Sequence, residues 1–411
     1  VRNFLRALFA KGQRTGAFDP VLAAAVIALL GFGVVMVFSA GVVEATVFKD
    51  PYHFVRRQGI FAVVAVVAMW AVSKFDYHKL RLLCYFSLGL VTVLMLVTVV
   101  GFGHTSGGAS RWIRLGPVNV QPSEMAKVAL VMWLAYSIDK KRDRLKSFSI
   151  GMIPHLLMTG MLVLICMKQP DFGSAAVLMF VTSAMLFVAG ARLGYLAGVG
   201  ALAAAFAVWA IRFSPYRWER MLAWFNMAEH RQDLAYQPFQ SVMSFGSGQW
   251  TGLGLGQGKQ VLYLPEAQTD SISAIIGEEL GFIGIVALCM TYLLIVARGV
   301  RTALAAEDEF GTHLAFGLSM LFGVQAVVNL GVAMAVLPTK GLTLPFISYG
   351  GSSLIVNASA IGILLNISRP RAQKDEQEAH YAPDPDAAQA FVMGAAFSHE
   401  QEPTHGSGAP A

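Results

Sequence analysis

Ten stretches of roughly twenty apolar residues recur along this chain, and in water they would leave it no workable fold. They lie near residues 20–42, 58–74, 82–101, 122–138, 150–167, 173–191, 193–211, 271–297, 313–337 and 352–368. A run of about twenty apolar residues crosses the hydrocarbon core as a helix. Backbone in lipid has to satisfy its own hydrogen bonds, which a helix does within one segment. The expected fold is therefore an all-α polytopic membrane protein of about ten transmembrane helices. Composition agrees, since only 14% of residues are charged, against about 25% in soluble domains.

Three regions follow from this pattern. Residues 1–19 form a basic tail with Arg2, Arg6, Lys11 and Arg14; residues 20–370 carry the spans; residues 371–411 are polar and include Pro-Asp-Pro-Asp. The last region cannot bury enough apolar surface to fold and is expected to be disordered. The first run exceeds the 7–15 residues of a signal h-region, so it reads as a span and not as a cleaved leader, although Ser39-Ala40-Gly41 is faintly compatible with cleavage. An even number of spans puts both ends on one side. The short segment Lys140-Lys-Arg-Asp-Arg-Leu-Lys146 marks that side as cytoplasmic by the positive-inside rule. The net charge of +6 thus reports topology, and nucleic acid is not an expected partner. Cys84, Cys166 and Cys289 all fall in apolar runs, against a disulfide framework. No HExxH or similar spacing occurs, so no protein-held transition metal is expected.

With no soluble catalytic domain in the chain, chemistry has to come from the spans and the outer loops. Residues 102–121 are turn-rich and basic, and residues 212–270 form the one large outer loop, on the periplasmic side. Within it, Trp218, Met221, Leu222, Phe225 and Ala228 share one helical face, with Arg217 and Arg220 off the stripe. That is the pattern of a helix lying in the membrane interface, or else of a packed surface helix. The run Gly252-Leu-Gly-Leu-Gly-Gln-Gly258-Lys259 fails as a nucleotide loop, because Leu253 stands where a Walker glycine must and Gln260 follows the lysine. It reads as a flexible loop.

Ionisable residues near membrane depth are the sharper signal, because they are costly there. Glu124 and Lys127, three apart, share a helix face and form either a structural ion pair or the polar floor of an outward cavity. Asp171 lies in a tight turn and is either a helix cap or a functional carboxylate. Glu278 and Glu279 are rotated from Asp270 by about 80° and 180° on a helix, so they read as interhelical partners. Asp270 itself stands where the large loop becomes an apolar helix. It is either an N-cap or an ionised general base favoured by the helix dipole. The last outer loop, Leu337 to Ser353, joins Lys340, Ser348 and free amides in irregular backbone of the kind that lines cavities and suits a diphosphate.

Several of these stretches together resemble the SEDS family (shape, elongation, division and sporulation) of membrane proteins. They are Ala109-Ser-Arg-Trp-Ile-Arg-Leu-Gly-Pro with Gln121-Pro-Ser-Glu124, Gln169-Pro-Asp171-Phe-Gly, Gly246-Ser-Gly, Gly252-Leu-Gly-Leu-Gly, Tyr263-Leu-Pro-Glu-Ala-Gln-Thr-Asp270, Glu278-Glu-Leu-Gly-Phe-Ile-Gly284 and Pro345-Phe-Ile-Ser-Tyr-Gly-Gly-Ser-Ser. They cover roughly residues 20–370. Thr339-Lys-Gly-Leu-Thr-Leu-Pro345 is similar to the division members more than to the elongation members. The resemblance implies ten spans in the bacterial inner membrane and a peptidoglycan glycosyltransferase acting on lipid II at the division septum. It also implies a class B penicillin-binding transpeptidase and other divisome proteins as partners.

On that reading Asp270 is the catalytic base. Arg111, Trp112, Arg114, Glu124, Lys127, Asp171, Arg220, Lys340 and Ser348 are the candidate substrate-binding residues. Arg111, Arg114, Lys340 or Arg220 would answer the charge of the undecaprenyl diphosphate leaving group, with or without a divalent cation such as Mg or Mn. Gln268, Ser271 and Ser273 depart from the family's usual neighbours of the aspartate, which are a His before Thr-Asp and aromatic residues after it. A flippase for lipid-linked sugars, or a non-enzymatic scaffold, are the rival readings. A flippase would route substrate past Glu124, Lys127 and Asp171, but transporters often show paired repeats, and none is visible here.

Overall fold

The computed structural model describes residues 18–41, 50, 52–102, 104–106, 109–115, 118–338 and 341–369. The expected disordered tail, most of the basic N-terminal tail and Lys340 lie outside the described residues. Each apolar run becomes a helix: α1 (Pro20–Ala40), α2 (His53–Lys74), α3 (Leu80–Val97), α4 (Pro122–Lys140), α5 (Ile153–Lys168), α6 (Phe172–Val188), α7 (Leu193–Arg212), α10 (Ile272–Ala305), α11 (Glu309–Ala333) and α12 (Gly351–Ile367). The large loop adds α8 (Pro215–Phe225) and α9 (Tyr236–Gly248). Seven of these helices are long and apolar enough to cross a membrane; α6 and α12 are apolar but shorter, at 17 residues each. The remaining run, α4, carries Glu124 and Lys127 in its outer half.

Helix starts follow local chemistry. Asp19 accepts from the Val21 and Leu22 amides at 3.0 and 3.1 Å ahead of Pro20, and Asp308 accepts from the Gly311 amide at 3.1 Å to open α11. Such caps satisfy amides that the first helical turn leaves without partners. Helices α4 and α11 form the centre of the bundle and pack against each other, with α6 alongside both. Apolar side chains of both are buried on almost every face. Helix α7 is the opposite case: Ala210 is its one buried residue, and Leu193, Leu202, Val208 and Trp209 are exposed. Apolar surface of this extent fits contact with lipid.

Two expectations need correction. Residues 102–121 are not simply a loop. Strands β1 (His104–Ser106), β2 (Ala109–Leu115) and β3 (Val118–Val120) form an antiparallel sheet in the order β1-β2-β3, with Ile113 opposite Val120 and Arg114 opposite Asn119. The Gly252 segment is docked as well. Helix α10 breaks at Gly281, whose φ is +66°, and the chain after α9 lies along the break. Leu253 and Gly254 donate to the Glu278 and Glu279 carbonyls at 3.0 Å each, while Phe282 and Ile283 donate to Gln249 and Trp250 at 2.8 and 3.1 Å. The loop supplies the hydrogen bonds that an unwound membrane helix forfeits.

The same region explains Glu278 and Glu279. The Glu278 carboxylate accepts from the Lys259 and Gln260 amides at 2.8 and 3.1 Å, and Glu279 accepts from Ser39 of α1. Both are therefore structural, and one bridges helices as expected. Contact at this junction is too close for side chains, since a Cβ on Gly281 would lie 2.3 Å from the Gly252 nitrogen. Gly281→Ala should therefore lower the thermal stability of the purified protein by about 1–3 kcal/mol, from backbone strain alone. Gly194→Ala in α7, where a Cβ meets nothing within 4 Å, should raise or leave it within about 0.5–1 kcal/mol. Melting in detergent checks both.

Candidate active site

Asp270 sits on the turn that leads into α10, and the fold holds its backbone while leaving its side chain available. Three successive carbonyls of this turn each receive a donor from elsewhere in the chain. The Tyr349 amide donates to Gln268 at 2.8 Å, the Ser348 hydroxyl to Thr269 at 2.6 Å, and the Asn329 side-chain amide to Asp270 at 3.3 Å. Within the turn, the Thr269 and Ser271 amides close onto the Glu266 carbonyl at 3.1 and 3.4 Å, with Glu266 at φ +52°. The N-cap of α10 is Ser271, and no side chain caps that helix. The capping alternative for Asp270 is therefore not realised.

The expectation of a dipole-stabilised anion needs correction too. Burial pushes the Asp270 carboxyl up to about 7, Glu266 adds to the rise, Arg111 opposes it, and Asp171 adds a smaller upward push. Desolvation and like charge both disfavour the ionised form, and here they outweigh the guanidinium. The residue as a whole is half-buried. A carboxyl that titrates near neutrality is matched to general-base work.

Arg111 is the cation brought to this carboxylate. On strand β2 it donates through Nε to the Gln169 carbonyl at 3.0 Å and through Nη2 to the Pro170 carbonyl at 2.5 Å. Its Nη1 remains directed at Gly341, where a Cβ would lie 3.5 Å from that nitrogen and 2.8 Å from Asp270 Oδ2. Gly341 thus packs beside both Asp270 and Arg111, which line the space a side chain would fill. Successive residues on a strand face opposite ways, so Trp112 and Arg114 fall on the other face of β2 from Arg111. Arg114 is exposed and Trp112 half-buried. The structure brings Arg111 to the base and keeps Arg114 away from it.

The remaining candidates divide by what already satisfies them. Asp171 caps α6, accepting from the Ser174 amide at 3.1 Å and from the Ser123 hydroxyl at 3.3 Å. Lys127 donates to Glu124 at 2.7 Å and to Gln325 at 2.6 Å, and Ser353 donates to Glu124 at 3.4 Å. All three charged residues are buried. In this conformation each of them already has protein partners. Ser348 is likewise committed: it accepts from the Leu344 amide at 2.8 Å while donating to Thr269. Arg220 is exposed on α8. That helix turns Trp218, Leu222 and Phe225 outward and buries Ala223, with Trp224 Nε1 donating to the Ala335 carbonyl at 2.9 Å. An outward apolar stripe is what the interfacial-helix reading requires.

Glu266, Gly341 and Asn329 were not among the sequence-derived candidates. A lone Asn within an apolar span was the available signal for the last of them. The departures Ser271 and Ser273 are accounted for: Gln237 donates to Ser271 at 3.2 Å, and Ser273 donates to Asn329 at 2.9 Å. Among the described residues, no group of three or more His, Cys, Asp or Glu side chains gathers into a metal site. The charges around Asp270 yield a test with a worked sign. Glu266→Gln removes a negative neighbour and should lower the pH at which Asp270 titrates below about 7, whereas Arg111→Gln should raise it. Carboxyl infrared difference spectra across pH read both shifts.

Comparison with known proteins identifies the family. Residues 20–373 match the FtsW/RodA/SpoVE family model, described as cell cycle protein. A relative from Geobacter metallireducens, named probable peptidoglycan glycosyltransferase FtsW, is 47% identical over 354 residues, covering 85% of this chain and 94% of its own. A solved chain from work on the structural coordination of polymerization and crosslinking by a peptidoglycan synthase complex superposes with TM-score 0.72 at 30% identity, covering 86% of this chain and 98% of that one. The rod shape determining protein RodA of Thermus thermophilus superposes with TM-score 0.64 at 28% identity, covering 86% and 97%. The ten apolar runs, the Asp270 turn and these matches agree: the chain belongs to the SEDS family of FtsW, RodA and SpoVE.

Proposed function

We propose that this protein is an FtsW-type peptidoglycan glycosyltransferase that polymerises lipid II, with Asp270 as general base. The observation that carries the reading is the pairing of an uncapped carboxyl titrating near 7 with a guanidinium beside Gly341. Asp270 takes the proton from the 4-hydroxyl of the acceptor sugar as that oxygen attacks the anomeric carbon of the donor. The bond to undecaprenyl diphosphate breaks on the opposite face, with inversion, as in single-displacement glycosyl chemistry. The leaving diphosphate needs charge compensation and no proton, and on this reading Arg111 gives it. A divalent cation, Mg or Mn, brought with the substrate diphosphate would add to that charge compensation.

The prenyl chains of lipid II and of the growing undecaprenyl-diphosphate-linked glycan stay in lipid while their sugars reach the outer turn. A base at the loop–helix junction serves that division. Both termini lie in the cytoplasm on this reading, because the exposed segment containing Lys141 and Arg144 falls on their side. A class B penicillin-binding transpeptidase is the proposed partner, supported by the similarity to a solved synthase complex, with other divisome proteins at the septum. The closed ion pair of Glu124 and Lys127 gives the flippase reading no support.

Three outcomes are expected with purified protein and labelled lipid II in vesicles. Wild type makes glycan polymer, and the rate rises about tenfold from pH 6 to pH 8 as Asp270 ionises. Asp270→Asn loses about 10²–10⁴-fold of that rate. The variant also remains folded. Because the Asp270 carboxyl titrates higher in the fold than its ordinary value of 3.8, its ionisation costs stability between about pH 4 and 7. The neutral amide escapes that cost, so the variant should melt no lower than wild type at pH 8. Normal polymer from Asp270→Asn, or transbilayer movement of lipid II without polymer, would sink the proposal.

A further inference from the structure

Three segments distant in sequence meet at Asn329, a buried side chain on α11 with 2% exposure. Its Nδ2 donates to the Asp270 carbonyl at 3.3 Å and to the Leu342 carbonyl at 2.6 Å, and its Oδ1 accepts from Ser273 Oγ at 2.9 Å. Among the described residues no backbone amide donates to either carbonyl, so this one side chain supplies both donors. Chemistry also fixes which way the amide points, since an oxygen turned toward two carbonyls would be repelled. The Ser273 hydroxyl holds the amide in that orientation.

We propose that Asn329 is a positioning residue for glycosyl transfer: it fixes the Asp270 turn against the Gly341–Leu342 segment, so that the carboxylate and the Arg111 guanidinium share the space beside Gly341 without a direct ion pair. The inference rests on Asp270 acting as the base. Arg111 is anchored through Nε and Nη2, which leaves Nη1 facing the space beside Gly341 that Asp270 Oδ2 also lines. Three charged groups face Asp270: Glu266 on its own turn, Arg111 on β2, and Asp171 at the start of α6. Once the turn shifts, the attraction that dominates at short range is the one between Nη1 and the carboxylate. Their direct ion pair would stabilise the anion and make it a weaker base. It would also occupy the cation that the leaving diphosphate requires.

This role separates from a merely structural one in the pH profile. A clamp that only supports the fold would reduce the yield of folded protein or raise KM, without moving the titration of the base. We expect Asn329→Ala in the full-length protein to lower kcat for lipid II polymerisation about 10–100-fold with KM within about threefold, since misplacing a reacting group by about 1 Å costs up to about 100-fold. The midpoint of its rate profile should move to the acid side of the wild-type value near 7. Ser273→Ala, which removes only the hydroxyl orienting the amide, should shift both quantities in the same direction by a smaller factor, about 3–10-fold in kcat. The double variant should be no worse than Asn329→Ala alone, because both substitutions break one clamp.

Wild-type kcat in Asn329→Ala, or a loss of rate with an unmoved midpoint, would overturn the proposal. If Asn329→Ala does not fold, Ser273→Ala decides by the same two criteria. A wild-type protein that makes no polymer would overturn the assignment of function as well, whereas a normal Asn329→Ala beside an active wild type overturns this inference alone.

Discussion

The site depends on a carboxylate whose backbone is tightly held and whose side chain is not. The carbonyls of Gln268, Thr269 and Asp270 are each engaged by a donor from α11 or from the last outer loop. That arrangement uses the turn's hydrogen-bonding capacity on structure and leaves the Asp270 carboxyl for chemistry. It also places a titratable group where desolvation works against its charge. An ion pair with Arg111 would remove that penalty. The two groups line the space beside Gly341 without a direct ion pair, so the carboxyl keeps its raised, near-neutral titration and the guanidinium remains available to an anion.

The rest of the bundle supports this arrangement by closing other polar groups on themselves. Glu124, Lys127, Gln325 and Ser353 form a buried set beneath the outer surface, and Asp171 is tied to the start of α6 and to Ser123. Buried charges of this kind are tolerated when paired and hydrogen-bonded. Their contribution to the site is to fix where α4, α6, α11 and α12 stand relative to one another. The break in α10 at Gly281 follows the same rule, because the loop carrying Gly252 returns to satisfy the unwound turn.

Much of this was legible in the sequence. Hydropathy located the long helices to within about five residues, apart from the end of α10, which runs on to Ala305, because burial of a span in lipid depends on local composition. The Asp19 and Asp308 caps and the glycine-rich strings are also local signals. The sequence misplaced the Gly252 segment, which read as flexible because the partner that orders it, the α10 break, lies about 30 residues further on. Arg114, Lys127 and Ser348 were named by residue type, and their strand facing and hydrogen-bond partners are set by the fold.

By itself the sequence determined a polytopic all-α membrane protein and singled out Asp270 at a polar-to-apolar junction, since apolar run length and charge placement act locally. Tertiary structure decided the surroundings of that aspartate. Whether it caps a helix, pairs with a cation or stands as a base turns on Arg111, Asn329 and Gly341. Those residues reach it from three separate segments of the chain. Desolvation and Coulomb interactions act through space, and the distances that set them exist only once the chain has folded.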